Sequence, residues 1–417
     1  MLILAVAFIY HKAVTTYFYN DDFQWLQQAP QFELANVLRL DRYDHFYRPV
    51  IEVYFHVGSR LFGCSALPFH LASIAVHLVN TLLLFLFARD LSGRLSFASL
   101  TALFFCVQPG FVQAVVWVGA ITDLLPALWY LLTLWMYLLF LQRRRPWFYG
   151  LALVAFALCH LTHESSATLL AMMVALEATV LLQAGSSLGE MLSPRRVTRY
   201  LPFAAMLIGY LLIAYVVNSR SYLVQEGHYR FGWHVVPNMF RYIVALSVWT
   251  RALTSYVVIA AVMAALVVRA GPRLRFSVLW IFVTLAPASL FTWGIESRYL
   301  YLPAAGFALV LADLMLGLYT SSMGSFSPRV ARIVTIFVVA GVSVRFAVFA
   351  EKSARDFRQQ TRPYEELAVA VREANPAPGP GGVVVVDRST AETVPPMYLE
   401  PALQTIYCRS DVRAIVR

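Results

Sequence analysis

Apolar runs follow one another along this chain, each closed by a short polar or basic break. They cover residues 2–18, 68–88, 95–107, 122–141, 147–161, 165–182, 200–217, 252–268, 276–292, 300–319 and 333–349. Their lengths approach the thickness of a bilayer crossed by a helix. The pattern predicts an all-α polytopic membrane protein of about eleven transmembrane helices. Residues 111–120 are apolar but too short to cross, so they are expected to re-enter or to lie against the bundle. They follow Gln108-Pro109-Gly110, a turn that cannot continue a helix. Two polar stretches interrupt the apolar pattern, a long first loop at 19–67 and a second at 218–251. Within the first, residues 32–38 have the pattern of a short amphipathic helix on the membrane surface.

Beyond residue 350 the pattern changes. Residues 351–373 are charged and helical in character, 376–382 form a Pro/Gly linker, and 383–387 read as a buried strand. A second strand is expected at 412–416. The expected organisation is a membrane domain at 1–350 and a small α/β tail at 351–417.

Composition supports the membrane reading. The chain is 59% hydrophobic and 13% charged, with a mean hydropathy of +0.64, whereas soluble domains carry about a quarter charged residues. Its formal charge is +10, from 33 basic and 23 acidic residues. In a soluble protein that excess would raise nucleic acid as a partner. Here the arginines sit in short loops, around Arg89, Arg143, Arg195, Arg273 and Arg329, so the positive-inside rule accounts for them. No nucleic-acid partner is expected. Lysine occurs only at Lys12 and Lys352, a bias that points to a GC-rich bacterial source. Cys64, Cys106, Cys159 and Cys408 show neither metal-ligand nor disulfide spacing. No signal-cleavage site is evident, and residues 2–18 read as a retained span.

If the Arg-rich loops are cytoplasmic, the polar groups of chemical interest share the opposite side. Asp21 and Asp22 follow the first apolar run, where a carboxylate can stay ionised beside a partly dry cleft and serve as a base. An acidic pair can also simply mark where a helix leaves the bilayer. Arg48 lies late in the first loop, and its planar fork suits phosphate. Asp123 opens a span, where it could also favour the helix dipole. His163 and Glu164 form a tight turn between spans. Glu296, Arg298 and Tyr299 stand together where a late span begins, and Glu296 could pair with Arg298.

Taken in order, these residues match a known family. Asp21-Asp22, Tyr47-Arg48-Pro49, Phe69-His70-Leu71, His77-Leu78-Val79-Asn80 and Val107-Gln108-Pro109 form the first part. Trp117 through Asp123-Leu124-Leu125, His163-Glu164-Ser165 and Glu296-Ser297-Arg298-Tyr299-Leu300-Tyr301-Leu302-Pro303 complete it. Over residues 2–319 the chain resembles the GT-C glycosyltransferases. It looks most like bacterial relatives of the tetratricopeptide-containing transmembrane O-mannosyltransferases and the dolichyl-phosphate-mannose protein O-mannosyltransferases. It departs from them at Gln108, Gln113, Ile121 and His163, where the family tends to carry His, Glu, Arg and Lys, and no tetratricopeptide array follows the last span.

The resemblance implies a GT-C-like bundle with a long first outer loop and an inverting transfer. A mannose-like hexose or pentose would move from a polyprenyl-phosphate donor to an acceptor hydroxyl on a protein, lipid or glycan. Asp21 would be the base and Asp22 its neighbour, with Arg48 and Arg298 on the donor phosphate. Tyr299, Asp123, His163, Glu164 and Glu296 would complete the substrate site. No cofactor is implied beyond the lipid-linked sugar, and a divalent metal is compatible with the acidic residues but not indicated. The expected location is a bacterial inner membrane with the site on the extracytoplasmic face. Two other classes stay open: a transporter or flippase of lipid-linked sugars, and a non-catalytic family member.

Overall fold

The structure is a computed structural model that describes residues 2–42, 46–247, 253–324, 327–378 and 381–417. Arg251 and Ala252, at the expected boundary of the second polar stretch, and Gly379 and Pro380 of the linker lie outside the described residues.

The first apolar run forms a helix only over Leu2–Tyr10 (α1), followed by a single 3-10 turn at Ala13–Thr15. The expected continuous helix at 2–18 is therefore broken. Its polar interruption is His11-Lys12, and the Lys12 ammonium lies 3.6 Å from the Glu351 carboxylate. The long first loop is more helical than its polarity suggested. It contains α2 (Asp21–Gln28) and α3 (Pro49–Phe62). The surface helix expected at 32–38 shrinks to one 3-10 turn at Leu34–Asn36. The helix that does form here is α3, which exposes the apolar stripe Val53, Val57 and Leu61 and buries Ile51, Phe55 and Gly58.

The bundle follows as α4 (Ala66–Ser92), α5 (Leu95–Cys106) and α6 (Val112–Val116). The turn at Gln108-Pro109-Gly110 is present, with the Gln108 Oε1 accepting from the Gly110 N–H. Next come α7 (Ile121–Arg143), α8 (Pro146–His160), α9 (Leu169–Gln183) and α10 (Pro194–Asn218). The second polar stretch also contains helices, α11 (Tyr222–Gln225) and α12 (Val235–Ser247), and α13 (Leu253–Arg269) comes next. Then follow α14 (Pro272–Ser289), α15 (Tyr301–Met323) and α16 (Pro328–Ala374).

Six helical segments among the described residues are long and apolar enough to cross a membrane. There are seven if the bent pair Leu95–Cys106 and Pro109–Val116 is one span. The chain is built as an all-α integral membrane protein. Pro146–His160, Val235–Ser247 and Leu253–Ala265 are apolar but shorter than a crossing requires.

At the centre stands α15, whose residues from Tyr301 to Val310 are all buried. A helix apolar on every side can only be covered by other helices. Between helices in lipid, small residues permit close backbone approach. Gly306 does so here, because a Cβ on it would meet Trp280 and the Ser277 carbonyl at 2.9 Å.

The tail contains β1 (Val383–Val386), α17 (Arg388–Ala391), α18 (Pro396–Tyr407) and β2 (Arg413–Val416). The two strands pair in parallel, with Val383 opposite Arg413. Position 350 falls inside α16, which runs unbroken from the bundle toward the tail. A disulfide joins Cys64 to Cys408 across a separation of 344 residues, which corrects the expectation from cysteine spacing. No local spacing rule could detect it, because tertiary packing alone brings the two cysteines together.

Candidate active site

The turn before α2 places the acidic pair. Asn20 has a φ of 46°, a left-handed conformation that asparagine tolerates better than most residues. Its side-chain oxygen accepts a 2.6 Å bond from the Tyr364 hydroxyl of α16. The next two residues then diverge, as successive helical positions point about 100° apart.

Asp22 turns inward and is buried. Its Oδ2 accepts from the Tyr19 N–H at 2.8 Å, and its Oδ1 accepts from the Gly119 N–H. A Cβ at residue 119 would meet that Oδ1 at 2.8 Å, so the approach requires glycine. Burial raises the Asp22 carboxyl well above the usual range, opposed by the two N–H donors. Phe23 packs beside it against Phe18, which in turn packs on Phe69, so the first loop is anchored to α4 by edge-on aromatic contacts.

Asp21 turns the other way, into a cavity of about 670 Å³. Several helix termini meet at this cavity: the starts of α7 and α15, the ends of α10 and α14, and the turn His163–Ser165 between α8 and α9. Of the sequence candidates, Asp21, Arg48, Asp123, His163, Glu164, Arg298 and Tyr299 all line it. Asp22 and Glu296 do not. Glu296 does not pair with Arg298 either; its backbone N–H donates to the Tyr242 hydroxyl at 3.3 Å.

The two arginines differ. Arg48 grips Glu164 with two prongs, Nη2 to Oε2 at 2.6 Å and Nε to Oε1 at 3.2 Å, so its charge is already balanced. Arg298 makes no ion pair among the described residues. Its Nη2 donates to the Tyr299 hydroxyl at 3.2 Å, its guanidinium lies 4.6 Å from the Trp117 ring, and its Nε is buried without a hydrogen-bond partner. This cation faces the cavity with unused donor capacity.

His163 Nδ1 accepts from the Ser165 N–H at 3.1 Å, which requires a neutral imidazole. Burial, with the Arg48 charge next in importance, pushes its pKa down to about 3. Among the described residues, no group of three or more His, Cys, Asp or Glu is placed to hold a metal ion.

The sequence reading missed the tail's contribution to the wall. Met397, Tyr398 and Pro401 line the cavity, and the Tyr398 hydroxyl donates to Asp21 Oδ1 at 2.6 Å across 377 residues. Nothing local marks such a contact. Glu52, another lining residue, was more accessible to reasoning, since it follows Arg48 by one helical turn.

No protein-family model matches the chain, and no curated protein matches it either. Its fold is similar to that of the archaeal oligosaccharyltransferase AglB from Archaeoglobus fulgidus, solved with an inhibitory peptide and a dolichol-phosphate. That match has a TM-score of 0.51 at 11% identity, covering 90% of this chain and 58% of AglB. The chain shares the fold of that protein. A second Archaeoglobus fulgidus oligosaccharyltransferase structure, a complex with zinc and sulfate, matches at a TM-score of 0.49 and 14% identity, over 90% of this chain and 55% of that one. The present chain thus spans little more than half the length of these proteins.

Proposed function

We propose that this GT-C chain is a membrane glycosyltransferase that moves one sugar from a polyprenyl-phosphate donor to an acceptor hydroxyl, with inversion. The observation that carries the reading is the pairing, in one cavity, of the Asp21 carboxylate with the Arg298 guanidinium, which has no ion-pair partner among the described residues. Glycosyl transfer from a lipid phosphate needs both groups.

The acceptor O–H gives its proton to Asp21 as its oxygen bonds to the anomeric carbon. The bond from that carbon to the phosphate oxygen breaks, and its electron pair leaves with the polyprenyl phosphate. Arg298 stabilises the charge that develops there. Arg48 is the second phosphate cation in this reading, restrained by Glu164. Asp123, His163, Glu164 and Tyr299 shape the sugar site, while Asp22 and Glu296 support the loops around it. Residues 1–350 form the catalytic membrane unit and 351–417 an extracytoplasmic tail. The Cys64–Cys408 disulfide supports an extracytoplasmic site, since such bonds persist in oxidising compartments. The AglB structure, which holds a dolichol-phosphate and a peptide, supports a lipid-linked donor. The sugar is a mannose-like hexose or a pentose, and the acceptor hydroxyl belongs to a protein, lipid or glycan of a bacterial cell envelope.

The test is transfer of labelled sugar by the full chain in lipid nanodiscs, with polyprenyl-phosphate mannose and pentose donors and cell-envelope extract as acceptor. Asp21→Asn keeps shape but removes proton acceptance and is expected to lower transfer about 100- to 10,000-fold. Arg298→Lys keeps the charge but loses the fork and should raise the donor KM by about tenfold or more. Transfer at the wild-type rate by Asp21→Asn would remove this mechanism.

A further inference from the structure

The tail is bound to the first loop at several independent points. The Cys64–Cys408 bond is covalent, Gln27 Nε2 donates to Gln404 Oε1 at 2.9 Å, and α18 packs along α2. Tail and α2 are therefore held as one piece on the side of the cavity where Asp21 stands. Of the three α18 side chains in the cavity wall, only Tyr398 carries a polar side-chain atom, and that atom lies on Asp21.

We infer that Tyr398 is a positioning residue for Asp21: its hydroxyl fixes the carboxylate by donating to Oδ1 at 2.6 Å, leaving Oδ2 directed at the acceptor. This rests on the reading of Asp21 as the base. A carboxylate on a short side chain rotates freely about its terminal bond unless an oxygen is held. The Tyr398 bond has the length of a charge-assisted O–H···O⁻ contact. Among the described residues it is the one hydrogen bond made by the Asp21 carboxylate, so Oδ2 retains its lone pairs for an incoming hydroxyl. Burial, and then the Asp21 charge, push the Tyr398 hydroxyl well above the usual phenol range, so it remains a donor wherever Asp21 is ionised. The arrangement makes the tail part of the reaction centre, since a group 377 residues from the base sets its orientation.

Tyr398→Phe removes the hydroxyl and keeps the ring. The full chain, labelled with ¹³C at the aspartate carboxyl carbon, is followed by infrared difference spectroscopy in nanodiscs. The Asp21 carboxylate stretch is assigned as the band lost in Asp21→Asn. The expected result is that Tyr398→Phe moves this band while the Cys64–Cys408 bond and the unfolding temperature are retained. With polyprenyl-phosphate mannose as donor, kcat is expected to fall about 10- to 100-fold with the donor KM unchanged. An unmoved band overturns the proposal. So does a moved band with unchanged or faster turnover, which would make the hydroxyl an idle or competing occupant of the acceptor position. Because the band is read without turnover, failure of Asp21 as the base appears separately, as full transfer by Asp21→Asn.

Discussion

Arg48 and Glu164, 116 residues apart in sequence, form a two-pronged ion pair on the cavity wall, with Nη2 2.6 Å from Oε2. Both side chains are largely covered, at 12% and 22% exposure. Removing one partner from such a pair strands the other charge, commonly at a cost of about 3 kcal/mol or more. Arg48→Met is therefore expected to lower the unfolding temperature clearly, and the double variant Arg48→Met/Glu164→Leu to recover most of it. Thermal unfolding in detergent gives the coupling through a double-mutant cycle. If the double variant also recovers full sugar transfer, Arg48 has no phosphate role.

Asp22 and Gly119 form a second linked pair, one that holds the loop. Asp22→Asn replaces one of its two acceptor oxygens by an N–H₂ facing a backbone N–H, a loss of about 1 to 3 kcal/mol. Gly119→Ala brings a methyl group to 2.8 Å from Asp22 Oδ1 and displaces the same carboxylate. Each variant should lower stability, and the two together should cost clearly less than their sum. Additive losses would mean that the two residues act independently.

His163 carries a pH signature. Its folded pKa is about 3 against about 6.5 unfolded, so between these values the unfolded chain binds more protons. Stability from this residue is complete above pH about 6.5 and is lost as pH falls toward 3. At pH about 4 the nominal loss is about 3 kcal/mol. His163→Gln should unfold at nearly the wild-type temperature at pH 7.5 but above it at pH 4.5. Equal acid shifts in both proteins would show that the imidazole is not buried neutral.

Orientation is tested by reporter fusions. A fusion after Arg145, in an Arg-rich turn, is expected to report the cytoplasm, and one after Arg388, in the tail, the opposite side. Reports from the same compartment would contradict the proposed extracytoplasmic site.

Much of the bundle was legible because apolarity is a local property. The segments that became α4, α7, α9, α10, α15 and α16 are apolar over a bilayer's thickness wherever they pack. The tail strands were legible for a similar reason, as Val383–Val386 is a compact β-branched run. Segments whose state depends on a partner were read less well. The run at 2–18 breaks near Lys12, whose charge finds Glu351. The stretches at 19–67 and 218–251 contain α2, α3 and α12, where polar residues interrupt apolar ones and no apolar run reaches a bilayer's thickness.

By itself, the sequence determined that this is a helical membrane protein with chemically useful groups where its helices begin and end. It also singled out Asp21, Arg48, Asp123, His163, Glu164, Arg298 and Tyr299, all of which line one cavity. Tertiary structure alone decided how they differ. Asp22 is consumed by the Gly119 N–H, Arg48 is neutralised by Glu164, Arg298 is left without an ion pair among the described residues, and Tyr398 reaches Asp21 from the tail. The physical reason is range. Helix formation and membrane insertion sum over neighbouring residues, whereas a hydrogen bond or ion pair acts over about 3 to 4 Å between groups that only the fold brings together.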